Sequence, residues 1–110
     1  MRNIMLLKEQ CELVNNLCVK TYMEVLGYYG VTISGKALAI FPSPFDEVGR
    51  LYVDKHINRF RLSHGKLTGG TLDLACALFK ETPNHIVRNI ALYRIDLLWT
   101  KCGSRSGAIW

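Results

Sequence analysis

The spacing of apolar residues changes along the chain, and each change predicts a different kind of element. From Asn3 to about Gly27, apolar residues recur at steps of three and four, which is the spacing of one face of a helix. The members of this stripe are Leu7, Cys11, Val14, Cys18, Tyr22 and Val25. The pattern predicts one long N-terminal helix. Glycines end it, and they flank a Tyr28-Tyr29 pair that we expect to close over the core or a partner.

Between residues 31 and 41 the spacing drops to two, which predicts a hairpin of two short strands with a turn at 34–36. Pro42 should end this hairpin because proline has no N–H to donate to a sheet. Residues 43–49 then form a loop. The next stretch, 50–66, alternates again. Read as a helix, it would place Val53, Ile57 and Phe60 on one face. Two strands at 50–54 and 59–63 are favoured because glycine and asparagine punctuate the stretch where hairpins turn.

Those two strands would separate apolar from basic side chains. The inward set is Leu51, Val53, Phe60 and Leu62. The outward set is Arg50, Tyr52, Arg59 and Arg61. Residues 50–66 hold five of the fourteen Lys and Arg and one of the nine acidic residues, so they carry +4 of the formal net charge of +5. The sequence therefore predicts a basic, partly aromatic face backed by a core.

After Gly69 the helical spacing returns. Thr71 is the expected N-cap of a helix reaching about Lys80. Thr82 followed by Pro83 predicts a second helix that runs to about Lys101. This last helix is apolar most of the way round, so we expect it to be central or shared with a second chain. The predicted fold is α+β, with a long N-terminal helix, an antiparallel sheet of about four short strands and two C-terminal helices. We expect one domain over 1–102 and a flexible tail over 103–110.

Composition bounds the class of protein. At 110 residues with 49% hydrophobic and 21% charged residues, the chain can bury a core without a metal or a disulfide. Its apolar runs fall far short of the roughly 18 residues that span a bilayer. Charged residues interrupt the apolar patch near the N-terminus, so we expect no signal peptide and a cytoplasmic location. No two cysteines have the spacing of zinc or redox sites, so we expect free thiols at Cys11, Cys18, Cys76 and Cys102.

Two candidate sites for ligand chemistry are weak. Asp54, His56 and His64 would form an acceptable divalent-metal set for phosphodiester hydrolysis if they converged at the ends of the second hairpin. Polar turn residues are the favoured reading because no helical histidine motif supports a metal. The glycine-rich segment 65–71 precedes a helix, where an anion such as a nucleic-acid phosphate is favoured. An ordinary flexible connection is preferred, since the order of lysine and glycines is not that of a P-loop.

Catalysis lacks a motif. No cysteine lies near a histidine in sequence, and no nucleophile-elbow pattern occurs, so we expect no catalytic residue, no metal and no cofactor. The favoured function is a non-enzymatic regulator, inhibitor or adaptor that binds a protein partner, acidic in character, and forms a homodimer. The expected partner-binding residues are Arg50, Tyr52, Lys55, Arg59, Arg61 and Lys66. The expected self-association residues are Tyr93, Leu98 and Trp99.

Nucleic-acid binding through the same hairpin is the alternative function. The sequence pI is about 9.2, which is basic but modest for a nucleic-acid module. The five cations of residues 50–66 would supply about five phosphate contacts and little sequence reading. A metal-dependent nuclease is third.

Overall fold

The computed structural model describes residues 7–33 and 35–99 and shows an α+β fold built on a five-stranded antiparallel sheet. The helices are α1 (Leu7–Asn15), α2 (Val19–Val25), α3 (Thr71–Phe79), α4 (Pro83–Arg88) and α5 (Asp96–Leu98). The strands are β1 (Val31–Thr32), β2 (Leu38–Pro42), β3 (Arg50–Asp54), β4 (Arg59–Leu62) and β5 (Thr68–Gly69). Their order in the sheet is β1-β2-β3-β4-β5, so each strand pairs with its neighbour in sequence. The α+β class and the antiparallel sheet are confirmed.

The prediction of four strands is wrong by one, because β5 is only two residues long and contains Gly69. Two residues carry no spacing that a sequence pattern could reveal. The strands expected at 50–54 and 59–63 are present, and β4 ends at Leu62. The turn between them places Asn58 at a positive φ of 55°. Asparagine tolerates that conformation better than most residues, and this agrees with the prediction of a turn at Asn58 between two strands.

The prediction of one long N-terminal helix is wrong, since the helical backbone is interrupted between α1 and α2. Cys18 precedes α2 in extended conformation, with φ −68° and ψ 112°. The side chain of Asn58 provides hydrogen-bond partners for backbone groups that a continuous helix would have paired internally. Its Oδ1 accepts from the Val19 N–H at 2.9 Å, and its Nδ2 donates to the Leu17 carbonyl at 2.8 Å. A contact from the distant β3–β4 turn therefore stabilises the break.

The prediction of one continuous helix from Pro83 to about Lys101 is also wrong. The Thr82 hydroxyl caps α4 as expected, accepting from the His85 N–H, but α4 ends at Arg88. The side chain of Asn89 donates to the His85 carbonyl at 2.8 Å, a bond of the kind by which asparagine competes with helix continuation. Residues 89–94 form turns, and Arg94 has a positive φ of 63°. The residues beyond 99, including the expected tail, lie outside the described part of the chain.

The core lies between the helices and one face of the sheet. Seventeen buried apolar residues from helices, strands and the 93–98 segment form one cluster. The hydroxyl of Tyr22 is buried within it and donates to the Tyr93 carbonyl at 2.8 Å. That bond ties α2 to the turns between α4 and α5. In the described residues, no helix is long and apolar enough to cross a membrane.

Candidate functional site: the outer face of the sheet

The two faces of the sheet differ sharply in burial. On the inner face, five apolar side chains of β2, β3 and β4 are at most 1% exposed, and Leu62 at the end of β4 is half-buried. The five are Ala39, Phe41, Leu51, Val53 and Phe60. The alternate residues of the same strands are half-buried or exposed. Because side chains alternate between faces, the helices cover one face and leave the other, which we call the outer face, open.

Strand register brings the predicted basic residues onto this outer face. One row crosses all five strands, and its members are Val31, Ile40, Tyr52, Arg61 and Thr68. Arg59 lies opposite Asp54 in the next row, and Arg50 lies opposite Pro42 on the other side. Directly paired residues share a face. Arg50, Tyr52, Arg59 and Arg61 therefore form one surface, and the row changes from apolar at β1 to basic at β4.

Arg61 and Tyr52 interact directly. The guanidinium carbon of Arg61 lies over the Tyr52 ring, 4.6 Å from its centroid, which is a favourable cation–π geometry. The Nη1 atom of Arg59 donates to the Asn58 carbonyl at 3.0 Å. The charged contacts within 4 Å between described residues are the Lys20–Glu24 ion pair and the histidine–carboxylate contacts His64–Asp46 and His85–Glu81. Among the described residues, none of the three outer-face arginines therefore has a carboxylate within 4 Å, although Asp54 lies opposite Arg59 in the sheet.

The two lysines predicted to join this site flank it instead. Lys55 lies in the turn after β3, and Lys66 lies in the connection after β4. These are opposite ends of the same strand pair, about 13 Å apart for strands of four or five residues. The structure thus groups three arginines and one tyrosine, with one lysine at each end.

An apolar groove at one end of the outer face was missed by the sequence reading. Its volume is about 410 Å³, and its lining includes Tyr29, Val31, Ile40, Pro42, Val48 and Arg50. Val48 belongs to the loop 43–49, which carries no spacing of its own and was interpreted as a connection. Tyr28 packs partly against the core, whereas Tyr29 points away from it and is 80% exposed. Only the fold brings these apolar residues together.

The loop that carries Val48 is held by its own polar side chains. Asp46 Oδ1 accepts from the backbone N–H of Val48 at 3.0 Å and also from that of Gly49. His64 Nδ1 lies 3.6 Å from Asp46 Oδ2, which links the loop to the chain after β4. The Ser43 N–H donates to the Gly49 carbonyl and closes the loop at its base. One wall of the groove is therefore preorganised.

The metal hypothesis does not survive the geometry. Asp54 and His56 lie at the β3–β4 turn, where the Asp54 carboxylate accepts from the His56 N–H. His64 lies at the opposite end of the hairpin beside Asp46. The metal hypothesis required residues from both ends of the hairpin to meet, and the two ends are a strand length apart. Across the described ranges, no group of three His, Cys, Asp or Glu side chains could hold a metal ion.

The glycine-rich segment before α3 serves packing and not anion binding. Asn15 Oδ1 accepts from the N–H groups of Leu72 and Asp73 at 2.8 and 3.2 Å, so a side chain of α1 already occupies this helix end. The Asp73 carboxylate accepts from the Gly70 N–H. A Cβ on Gly70 would overlap the Asn15 carbonyl oxygen. The position considered for a phosphate is therefore occupied by the side chains of Asn15 and Asp73, in keeping with the preferred interpretation as a connection.

Thr71 is not the N-cap that the sequence predicts. Gly70 takes that position, and Thr71 is the first helical residue. The Thr71 hydroxyl donates instead to the Leu17 carbonyl at 2.8 Å. This bond adds to those of Asn58 at the α1–α2 break.

The residues predicted for self-association lie mainly inside the chain. Tyr93 is 6% exposed and Leu98 is fully buried, and both belong to the core cluster. Trp99 is half-buried against the same cluster. Part of the apolar excess that suggested a second chain is thus absorbed by the core, whereas Leu92 and Tyr29 stay exposed. Tyr93 and Leu98 are not available at a surface.

The thiols of the described residues, Cys11, Cys18 and Cys76, are not disulfide-bonded. Burial raises the pKa of Cys76 to about 11, with smaller contributions from Asp73 and Cys11. Burial also raises the pKa of Cys11, and Glu12 adds to the effect. A thiol reacts as its thiolate, so these two cysteines are protected by their surroundings. Cys102 lies outside the described residues.

No protein family, curated protein or solved structure is matched by this chain.

Proposed function

We propose that this chain is a non-enzymatic binding protein of the cytoplasm, a regulator, inhibitor or adaptor, that docks an acidic protein partner on the outer face of its sheet. One observation carries the proposal. An open sheet face presents a row that runs from Val31 and Ile40 through Tyr52 to Arg61. Arginine and tyrosine are enriched among the residues that dominate protein interfaces, and apolar neighbours exclude water around them.

The mixture of apolar and basic side chains favours a protein over a nucleic acid. A nucleic-acid groove combines cations with aromatic rings that bases can stack on. Here Arg61 lies over the single aromatic ring of the row, and two of the five residues of the row are aliphatic. Three clustered arginines would make fewer phosphate contacts than the five that the sequence suggested. Nucleic-acid binding stays the alternative, with Lys55 and Lys66 as additional contacts from the two ends.

Homodimerisation stays a prediction, separate from this site. Its expected contacts at Tyr93 and Leu98 are buried, so a dimer would need other residues. Trp99 is partly accessible and is the one member of that set that a second copy could reach.

The proposal is tested by affinity capture from a native lysate, with and without nuclease. The variant Arg59→Glu with Arg61→Glu reverses two charges of the outer face. A matched control, Lys8→Glu with Arg88→Glu, makes the same change in net charge on two exposed helical residues. We expect nuclease-resistant capture of one protein, lost in the outer-face variant and retained in the control.

Three results would reject the proposal. Capture that disappears with nuclease would favour the nucleic-acid alternative. Equal loss in both double variants would show that only the net charge matters. Capture that neither double variant affects would place the binding surface elsewhere.

A further inference from the structure

The groove at the β1 end of the outer face concentrates exposed apolar side chains beside Arg50, which has no carboxylate within 4 Å in the described part of the chain. Tyr29, Val31 and Val48 are 80%, 68% and 76% exposed, and all three line the groove. Arg50 lines it as well and also lies on the outer face. Grouped exposed apolar residues beside polar ones mark interaction sites on proteins. The groove and the basic residues therefore form one continuous surface.

We propose that this surface binds an extended acidic segment of the partner protein. One apolar side chain of that segment sits among Tyr29, Val31 and Val48, and its acidic side chains lie over Arg50 and Arg61. The inference rests on the proposed function and adds the chemistry of the segment to it. Arginine suits this role because its planar guanidinium binds a carboxylate with two hydrogen bonds.

The sheet sets the spacing of the segment. Neighbouring strands lie about 4.8 Å apart, so β3 is about 10 Å and β4 about 14 Å from β1. An extended chain advances about 3.3 Å per residue. A segment that crosses the sheet from the groove therefore needs Asp or Glu about three to five residues from its apolar anchor.

Two further features orient the segment. Glu47 also lines the groove, so an acidic side chain is repelled there and attracted toward the arginines. The same carboxylate would repel a phosphate backbone. β1 has only two residues, and so short an edge offers little backbone for an added strand. The segment therefore crosses the outer face and does not extend the sheet at β1.

The test uses a phage library of random 12-residue peptides panned against the full chain. We expect enriched peptides to carry an apolar residue followed or preceded by Asp or Glu at the spacing given above. A fluorescein-labelled copy of an enriched peptide is then titrated by fluorescence anisotropy. Val48→Asp should weaken its binding at least about tenfold, because the new carboxylate would lie against the apolar side chain of the segment and would have to be desolvated there. The matched control Leu92→Asp changes a residue that is 68% exposed and outside the groove, and should alter binding less than about twofold.

Each other outcome rejects the inference. Failure to enrich peptides, enrichment without acidic residues, or equal effects of Val48→Asp and Leu92→Asp would all contradict it. If Val48→Asp fails to fold by circular dichroism, Tyr29→Asp makes the same test at another exposed lining residue of the groove. Protein binding that is lost in the Arg59→Glu and Arg61→Glu variant but unaffected by Val48→Asp would keep the proposed function and reject the groove.

Discussion

Single polar side chains decide where the helices of this chain begin and end. Asn58 belongs to the β3–β4 turn, yet it accepts from the first N–H of α2 and donates to two carbonyls at the end of α1. Asn15 belongs to α1, yet it caps α3. A helix end buried without partners is costly, so each of these side chains takes the place of a local cap.

The first prediction concerns Asn58. Asn58→Gly keeps the positive φ available but removes three hydrogen bonds, so we expect the free energy of unfolding to fall by about 1–3 kcal/mol. Asn58→Ala should lose more because alanine is also strained at this φ. Urea unfolding followed by circular dichroism measures both. A Gly variant as stable as the wild type would show that the side chain is not needed at the break.

The second prediction concerns Cys76 and alkaline pH. Its pKa is raised to about 11 in the folded chain, while an unfolded thiol ionises near pH 8.5. The unfolded state therefore loses its proton first as pH rises. The stability linked to this thiol is fully present below about pH 8.5 and is lost as pH approaches the folded pKa. Urea midpoints measured from pH 7 to 10 should fall less steeply for Cys76→Ala than for the wild type. Parallel curves would contradict the assignment.

At the scale of elements, apolar spacing placed β2, β3, β4 and α3 well and both terminal helices poorly. Apolar and polar residues alternate along the strands because one face of the sheet is buried, so the spacing of apolar residues predicts the strands directly. The terminal helices carry a helical stripe across breaks that are made by Asn58, Asn89 and Arg94. Such breaks depend on hydrogen bonds and backbone angles at single residues, which spacing does not record.

The same reasoning explains what could be predicted of the site. Alternation in β3 and β4 was enough to place Arg50, Tyr52, Arg59 and Arg61 on one face. The groove could not be predicted, because Tyr29 and Val48 are 19 positions apart in sequence and neither belongs to a periodic segment. The Asn15 cap links α1 to α3 across 57 positions, and no sequence pattern predicts it either.

The third prediction tests the C-terminal break. Arg94 has a positive φ, which costs an L-residue about 1 kcal/mol or more. Arg94→Gly should therefore leave the chain as stable as the wild type or up to about 1 kcal/mol more stable. In a continuous helix the same change would cost nearly 1 kcal/mol. Ala77→Gly, inside α3, is the helical control and should cost about 1 kcal/mol. Destabilisation of both variants alike in thermal unfolding would favour the continuous helix.

At the scale of the whole molecule, the core on one side of the sheet takes up part of the apolar excess and leaves Tyr29 and Leu92 exposed. Tyr93 and Leu98 complete the core. We propose the outer face with its groove as the surface for a partner, because it combines exposed apolar side chains with arginines.

The fourth prediction separates core from interface at Leu98. Leu98→Ala should lower the free energy of unfolding by about 2–5 kcal/mol, and Leu98→Glu should prevent cooperative folding because it buries a charge. Leu92→Glu, at an exposed position, should change stability by no more than about 0.5 kcal/mol. Circular dichroism and sedimentation measure the outcome. A folded Leu98→Glu chain sedimenting at 12.5 kDa, beside a dimeric wild type, would place Leu98 at an interface after all.

The central claim is that the outer face binds a protein and not a nucleic acid, and the salt dependence of affinity tests it most directly. The captured partner and labelled random DNA and RNA are each titrated against the purified chain while ionic strength is doubled toward the physiological value. Three phosphate contacts would cost a nucleic acid about four- to sixfold in affinity per doubling. We expect weak nucleic-acid binding with that slope. We expect the protein partner to lose less than about twofold per doubling, mainly through its association rate. Tight nucleic-acid binding at physiological salt, abolished by Arg59→Glu with Arg61→Glu, would contradict the account.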